Sequence, residues 1–266
     1  AIEPLSQEYD PVLIALTRQI SPRFNECELT HLDRQPIDLD LARTQHSQYE
    51  AALRALGCEV ISLPAEPDLP DSVFVEDVAL VFDEVAIITR PGADSRKPET
   101  AAIARALQPY RTLRSIQAPG TIDGGDVLCV GQTVYVGLSS RSNRAGVEQT
   151  QEYLAPYGYT VKGVEVTGCL HLKSAVTQVS ADTLLINPAR VDRSVFGEMR
   201  FVEVDEGEPS AANAVWIDDA VIYPAGFPKT QRRLEEAGVH LRIVEATEVA
   251  KAEGAVTCCS LIFRGA

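Results

Sequence analysis

The run DVALVFDEVAIITRP, from Asp77 to Pro91, sets two short stretches of β-branched residues on either side of an acidic turn, the pattern of two strands paired through a hairpin. The helical segment PETAAIARAL (Pro98 to Leu107) and a further strand, TLRSI, come next, so this part of the chain reads strand, strand, helix, strand. The same order returns. DVLCVGQTVYVGL (Asp126 to Leu138) leads to a helix around Val147 to Leu154 and the strand TVKGVEV. SAVTQVSADTLLINP (Ser174 to Pro188) leads through a weaker helical piece to MRFVEV, and NAVWIDDAVIYPAG (Asn213 to Gly226) leads to the helix TQRRLEEAG and the strand HLRIVE. A fifth unit has to be assembled from the two ends of the chain. CSLIFRG closes the sequence, while PVLIALTR, the helix LDLARTQHSQYEAALRALG (Leu39 to Gly57) and CEVISLP open it.

The units begin near residues 77, 126, 174, 213 and 259, spacings of about 49, 48, 39 and 46 residues, a period that suits an array of like supersecondary units. The expected fold is α/β: a five-bladed pseudosymmetric propeller of ββαβ units forming one domain over residues 1–266. Two stacked α/β domains are the competing architecture. The opening helix carries the strongest periodicity, with Leu39, Ala42, Tyr49, Ala52, Leu53 and Leu56 on one face, Asp38 at the N-cap and Gly57 just past the end.

Composition narrows the function. The 266 residues carry 24 basic and 38 acidic side chains, a net charge of −14. A general nucleic-acid or anionic-membrane binder needs the opposite balance, whereas a small cationic ligand suits this one. No run approaches the roughly 20 apolar residues of a membrane helix. The opening AIEPLSQEYD shows no secretory pattern, so a cytoplasmic location is expected. The six cysteines lack C-x-x-C or zinc-finger spacing, which predicts neither structural zinc nor disulfides, and for most of them inert packing.

Equivalent positions of stacked repeats lie side by side, so polar residues at the unit starts can meet although far apart in sequence. Asp71 precedes unit one, which opens with Glu76-Asp77. Unit two opens with Asp123-Gly124-Gly125-Asp126, unit three with His171-Leu172-Lys173, unit four with Asn213 and unit five with Cys258-Cys259. A thiol, an imidazole and several carboxylates are what nucleophilic cysteine chemistry on a cationic substrate requires. Each has a plainer reading: Asp126 as a turn carboxylate holding backbone amides, His171 as a satisfied core histidine. The adjacent cysteines, just before a strand, are expected to point to opposite faces, leaving Cys259 to packing.

The motifs DSVFVEDVALV, ITRPGA, TIDGGDVL, VGLSSRSN, LHLKS, SAAN and TCCS, in that order from about Asp71 to Ser260, resemble those of the dimethylarginine dimethylaminohydrolases. These enzymes belong to the guanidine-modifying superfamily of five-fold α/β propellers, the penteins. The N-terminal quarter matches more loosely. Carried over by motif, the resemblance implies that Cys258 is the nucleophile, His171 the acid/base, and Asp123 the group that orients His171 or touches the guanidinium. Glu76 and Asp77 would bind guanidinium nitrogens, Asp71 the substrate α-amino group, and Arg90 and Arg141 its carboxylate. Backbone carbonyls near Ile20 and Ala252 would complete the amine site.

The implied reaction converts Nω-methylated arginines to citrulline and a methylamine through a covalent cysteine adduct. It needs no metal or organic cofactor, and Zn²⁺ is expected to inhibit, since soft metals seek a thiolate beside a histidine. The expected partner is a small guanidino compound, with no nucleic acid and no membrane, and a homodimer left open. An activated Cys258 should alkylate fast even at low pH. An arginine deiminase or amidinotransferase shares these catalytic groups, and a non-catalytic propeller binding guanidino compounds is the alternative of another class.

Overall fold

Two antiparallel strands joined by a tight turn leave one strand edge open, and a helical crossover returns a third strand parallel to that edge. Units one, two and four of this chain follow that rule, while unit three lacks the α-helix and the fifth builds the same sheet from strands at opposite ends of the sequence. The computed structural model describes residues 12–265; the stretch AIEPLSQEYD and Pro11, on which the secretory reading and the start of PVLIALTR rest, lie outside the described residues. In chain order the elements are β1 (Leu13–Arg18), α1 (Leu39–Ala55), β2 (Glu59–Leu63), β3 (Ala79–Val81), β4 (Val85–Ile88), α2 (Thr100–Leu107) and β5 (Thr112–Ser115). There follow β6 (Val127–Val130), β7 (Thr133–Leu138), α3 (Arg144–Leu154), β8 (Thr160–Glu165), β9 (Val176–Gln178), β10 (Thr183–Ile186) and β11 (Arg200–Glu203). The last are β12 (Val215–Ile217), β13 (Ala220–Pro224), α4 (Pro228–Glu236), β14 (His240–Val244), α5 (Thr247–Ala250) and β15 (Leu261–Arg264).

These strands form five three-stranded sheets: β3-β4-β5, β6-β7-β8, β9-β10-β11, β12-β13-β14 and β15-β1-β2. In every one the first strand is antiparallel to the middle strand and the last is parallel to it. The fifth sheet joins the chain ends as expected, Leu13 opposite Arg264 and Leu16 opposite Leu261. Unit three crosses over through a 3-10 turn, Arg193–Phe196, in a stretch whose helical pattern is weak.

Apolar residues gather in five clusters, each drawn from two units that are consecutive when the fifth is followed by the first. One packs Leu80, Val85 and Ile87 of unit one against Val127, Val134 and Leu154 of unit two. Another packs Ile14, Leu16 and Leu261 of unit five against Val78, Ile88 and Ile103 of unit one. Short two-faced sheets cannot bury both faces alone, so the units are held by their neighbours.

In α1 the Asp38 carboxylate accepts from the N–H groups of Asp40 and Leu41 at 3.0 Å, satisfying orphan donors of the first turn, and Gly57 takes a φ of +87° just past the end. The buried face also includes Gln45, His46 and Glu50, which hydrophobic periodicity does not register. Glu50 accepts from the Thr17 hydroxyl at 2.7 Å. Replacing Asp38 with Ala is expected to cost about 1 kcal/mol of stability, measured by urea unfolding; an unchanged midpoint would show that the cap contributes nothing.

Candidate functional site

Four of the five first strands are entered through a short 3-10 turn: Val75–Val78 before β3, Gly124–Asp126 before β6, Leu172–Ser174 before β9 and Thr257–Cys259 before β15. Each turn carries or directly follows the polar residues singled out at the unit starts, with Asp123 and His171 as N-terminal flanking residues in extended conformation. The first turn packs on those of units two and five, and the second on that of unit three. Unit four contributes Asn213, whose amide donates to the Lys173 carbonyl at 3.1 Å and the Thr257 hydroxyl at 3.0 Å.

The approach of the turns is possible because two residues lack a Cβ. A Cβ on Gly124 would lie 1.9 Å from the Glu76 carbonyl oxygen, and one on Gly125 would lie 2.6 Å from His171 Nδ1 and 2.9 Å from Asp77 Oδ1. The DGGD sequence is thus a steric requirement of the site.

Six of the sequence-predicted residues, Asp71, Asp77, Arg141, His171, Ala252 and Cys258, line one small cavity of about 20 Å³. Asp123 lies directly behind the imidazole: its Oδ2 is 3.2 Å from His171 Nε2 and 3.6 Å from Arg141 Nη1, while its Oδ1 accepts from the Gly92 N–H at 2.8 Å. Asp123 therefore contacts the histidine. Asp77 Oδ1 faces the other ring nitrogen at 4.0 Å and accepts from the Gly125 N–H at 3.0 Å.

Three expected residues are elsewhere. The Glu76 carboxylate turns away from this cavity, accepting from Lys173 Nζ at 2.6 Å and the Thr257 hydroxyl at 2.8 Å, one bond on each oxygen. Arg90 is half-buried with Nη1 3.3 Å from the Gly120 carbonyl, and its backbone bridges to Ile122. Ile20 is packed in the core cluster between units four and five. The sequence reading missed Arg96, buried at the cavity wall and bound to the carboxylates of Asp77 and Glu99. It also missed the segment that covers the cavity. Glu28 N–H donates to the Asp71 carboxylate at 3.1 Å, Arg141 Nη2 donates to Thr30 Oγ1 at 3.0 Å, and the Glu253 carboxylate accepts from the N–H groups of Thr30, His31 and Leu32.

The electrostatics follow from burial among carboxylates. Burial works against a proton on His171, but Asp77, Asp126 and Asp123 outweigh it and raise its pKa to about 9. Loss of solvent raises the Cys258 thiol well above its ordinary value, and the negative charges of Glu76 and Asp77 raise it further. Both shifts favour the protonated forms of the pair: burial and the neighbouring carboxylates work against an ionised Cys258 thiol in the free protein, and the carboxylates work for a proton on His171. Cys259 sits in the same turn, not on a strand, so alternation across a sheet is not what separates the two sulfurs. It is buried, 3.6 Å from the Ala255 carbonyl, with its thiol pushed up to about 12 by burial. All six cysteines are free.

Asp77, Asp123 and His171 offer ligand atoms within 4.8 Å of one another. Arg96 binds the other carboxylate oxygen of Asp77, and Arg141 stands 3.6 Å from Asp123, so both carboxylates are already countered by a guanidinium charge. The set reads as a proton and charge network.

Architecture and cavity define first a class: an α/β protein of five like units whose thiol, imidazole and carboxylates meet at the entrances to the first strands. A family model described as N,N dimethylarginine dimethylhydrolase, eukaryotic, matches residues 18–195. The chain is 42% identical to an N(G),N(G)-dimethylarginine dimethylaminohydrolase of Streptomyces coelicolor, over 94% of this chain and 96% of that one. It is 36% identical to the enzyme of the same name from Pseudomonas aeruginosa, over 85% and 90% of the two chains. A solved structure of the Pseudomonas aeruginosa protein, a cysteine-to-serine mutant complexed with citrulline, superposes with a TM-score of 0.90 at 34% identity, covering 94% of this chain and 98% of that one. The chain belongs to the dimethylarginine dimethylaminohydrolase family of the pentein superfamily.

Gly125→Ala is expected to push the imidazole away from Asp77 and move the His171 pKa from about 9 toward 6.5, followed by NMR titration of the ring. An unaltered titration would show that the backbone yields instead.

Proposed function

We propose that this protein hydrolyses Nω-methylated arginines to citrulline and the corresponding methylamine through a covalent adduct on Cys258. The observation that carries the reading is the single cavity shared by Cys258, the imidazole bound by Asp123, the carboxylates of Asp71 and Asp77, and Arg141. A carboxylate and a guanidinium suit the ammonium and carboxylate of an amino acid, and a further carboxylate suits a guanidinium. Arg96, held between Asp77 and Glu99, is a further arginine of the cavity wall, and Arg90 remains the second arginine proposed for the substrate carboxylate.

The free cavity of about 20 Å³ has room for about one water, so substrate exchanges partners with the covering segment. Its ammonium takes the place of Glu28 N–H at Asp71, and its carboxylate that of the Thr30 hydroxyl at Arg141. The substrate guanidinium brings positive charge beside Asp77 and the sulfur, which lowers the thiol pKa. The thiol releases its proton to solvent, and the thiolate forms a C–S bond to the guanidinium carbon. As the C–N bond to the methylated nitrogen breaks, the His171 imidazolium protonates the departing amine. The remaining S-alkylthiouronium cation is attacked by a water that gives a proton to the now neutral His171, the C–S bond breaks, and citrulline leaves. Water is the only co-reactant the balance requires.

The reading extends to the fold and setting. The five units close into a propeller forming one catalytic domain, supported by the five clusters joining consecutive units and by a cavity of about 550 Å³ lined by residues of all five first strands, among them Leu80, Leu128, Thr177, Val215 and Phe263. No helix among the described residues is long and apolar enough to cross a membrane, and a cytoplasmic enzyme acting on a small guanidino substrate is the corresponding proposal.

Citrulline production should be measured from asymmetric dimethylarginine, monomethylarginine and arginine in parallel, with the released amines quantified. Preference for the methylated substrates, abolished in Cys258→Ala, is expected. Turnover of arginine alone would make the protein a deiminase, and no citrulline from any substrate would overturn the hydrolase reading. Because attack needs one proton fewer than the resting thiol and imidazolium hold, kcat/KM should rise about tenfold per pH unit and level near pH 9, where His171 titrates in the free enzyme. Iodoacetamide labelling of Cys258 should climb over the same range; fast labelling at pH 6 would show that the resting thiol is already ionised.

A further inference from the structure

Asp126, the second carboxylate of DGGD, is fully buried and does not line the cavity of the candidate site, yet each of its bonds ends on a residue that leads there. Its Oδ1 accepts from the N–H of Leu172 at 3.0 Å, the peptide that follows His171. Its Oδ2 accepts from the hydroxyls of Ser142 at 2.7 Å and Ser139 at 2.6 Å. Ser142 Oγ in turn accepts the backbone N–H of Asp123 at 3.0 Å. Ser139 Oγ accepts the N–H groups of Arg141 at 3.0 Å and of Ser142 at 3.3 Å. One carboxylate therefore ties down the backbone of all three members of the Arg141, Asp123 and His171 chain, across units two and three. Room for it is left by Gly137, where a Cβ would stand 2.7 Å from Asp126 Oδ1.

We propose that Asp126 is a positioning residue of the reaction, fixing His171 and Asp123 at bonding distance and setting the turn that presents Arg141. The proposal rests on the hydrolase reading above and deepens it. A purely local turn carboxylate would serve its own loop, whereas Asp126 joins two units through three donors. It also supplies negative charge to the imidazolium, and burial raises its own pKa to about 6. The other charged groups facing His171 are Asp77, carrying Arg96; Asp123, carrying Arg141; and, on the cavity wall, Glu28, Asp71, Glu253 and the Cys258 thiol.

Two substitutions separate geometry from charge. Ser142→Ala keeps the Asp126 charge and removes only the arm to Asp123; Asp126→Asn keeps shape and one acceptor oxygen and removes the charge. Both are expected to lower kcat for asymmetric dimethylarginine, Ser142→Ala by about tenfold and Asp126→Asn by about 10²-fold, misplacement being enough for losses of that order, with KM changed by less than about threefold in Ser142→Ala and raised further in Asp126→Asn, where the turn presenting Arg141 also loses its anchor. His171 should titrate near pH 9 in Ser142→Ala and at lower pH in Asp126→Asn, read by NMR on the free protein and by the break in the kcat/KM profile. Loss of thermal stability with kcat per folded molecule and His171 titration unchanged would overturn the proposal. If Asp126→Asn does not fold, Ser142→Ala decides through kcat alone. Failure of the hydrolase reading is recognised separately, by citrulline formation that survives Cys258→Ala, while the NMR titration needs no turnover.

Discussion

Five carboxylates, Asp71, Glu76, Asp77, Asp123 and Asp126, are held in one region of the molecule, none of them more than 7% exposed. An ionised carboxylate taken out of water is costly unless charge or several N–H donors replace its hydration, and most features of the site answer that constraint. Asp77 is met by Arg96 and the Gly125 amide, Glu76 by Lys173 and Thr257, Asp123 by His171 and the Gly92 amide, and Asp126 by two hydroxyls and an amide. Asp71 takes the amide of Glu28. Where compensation falls short of burial the carboxyl pKa rises, as it does for Asp71, Glu76 and Asp126, chiefly from burial. Breaking any pair here strands a buried charge, which costs more than the pair contributes.

The repeat architecture makes this concentration of charge attainable. A three-stranded sheet of strands three to six residues long offers little surface of its own, but the entrance to its first strand is a fixed point, held by the sheet behind it and the clusters on either side. Setting a 3-10 turn at that point exposes backbone N–H groups and aims one or two side chains out of the strand direction. Four such turns brought into contact supply donors to each other's carboxylates, as Gly125 does to Asp77 and Leu172 to Asp126. The site is a property of contacts between units, which explains how residues as distant as Glu76 and Thr257 come to share a hydrogen bond.

This division also explains what the sequence disclosed. Strand pairs, crossover helices, the Asp38 cap and the split fifth unit were legible because hydrophobic period and turn residues are local, and the unit starts were legible because they recur. Which way a side chain leaves a 3-10 turn has no periodic signature. Glu76 and Asp77 are neighbours in VEDV, yet one faces Lys173 and the other the imidazole. Arg96 lay hidden for a related reason: DSRKPE reads as a solvated charged stretch, and only the fold reveals that its arginine points inward between Asp77 and Glu99. Arg90 stands inside a motif, but a motif does not disclose where a guanidinium ends, here against the Gly120 carbonyl. Ile20 was drawn from the least similar segment, and the chain that reaches the cavity is a few residues further on, at Glu28 to Leu32.

A thiol whose pKa is raised by burial and by the carboxylates around it looks at first like a poorly prepared nucleophile. In the proposed reaction it is a means of discrimination. The site carries an excess of negative charge that no residue of the cavity fully balances at the sulfur, and the missing positive charge is the guanidinium of the substrate. A cationic ligand brings its own activation, since the charge that draws it to Asp77 is the charge that lowers the thiol pKa. Citrulline, neutral at the same atom, brings none, so the product neither ionises the thiol nor competes on equal terms for the carboxylate. The imidazolium takes the complementary part: the three carboxylates that hold its proton to about pH 9 keep an acid ready for the leaving amine throughout the neutral range. Buried acidity thus sets both protonation states the chemistry needs, and it does so only while Asp77, Asp123 and Asp126 keep their partners.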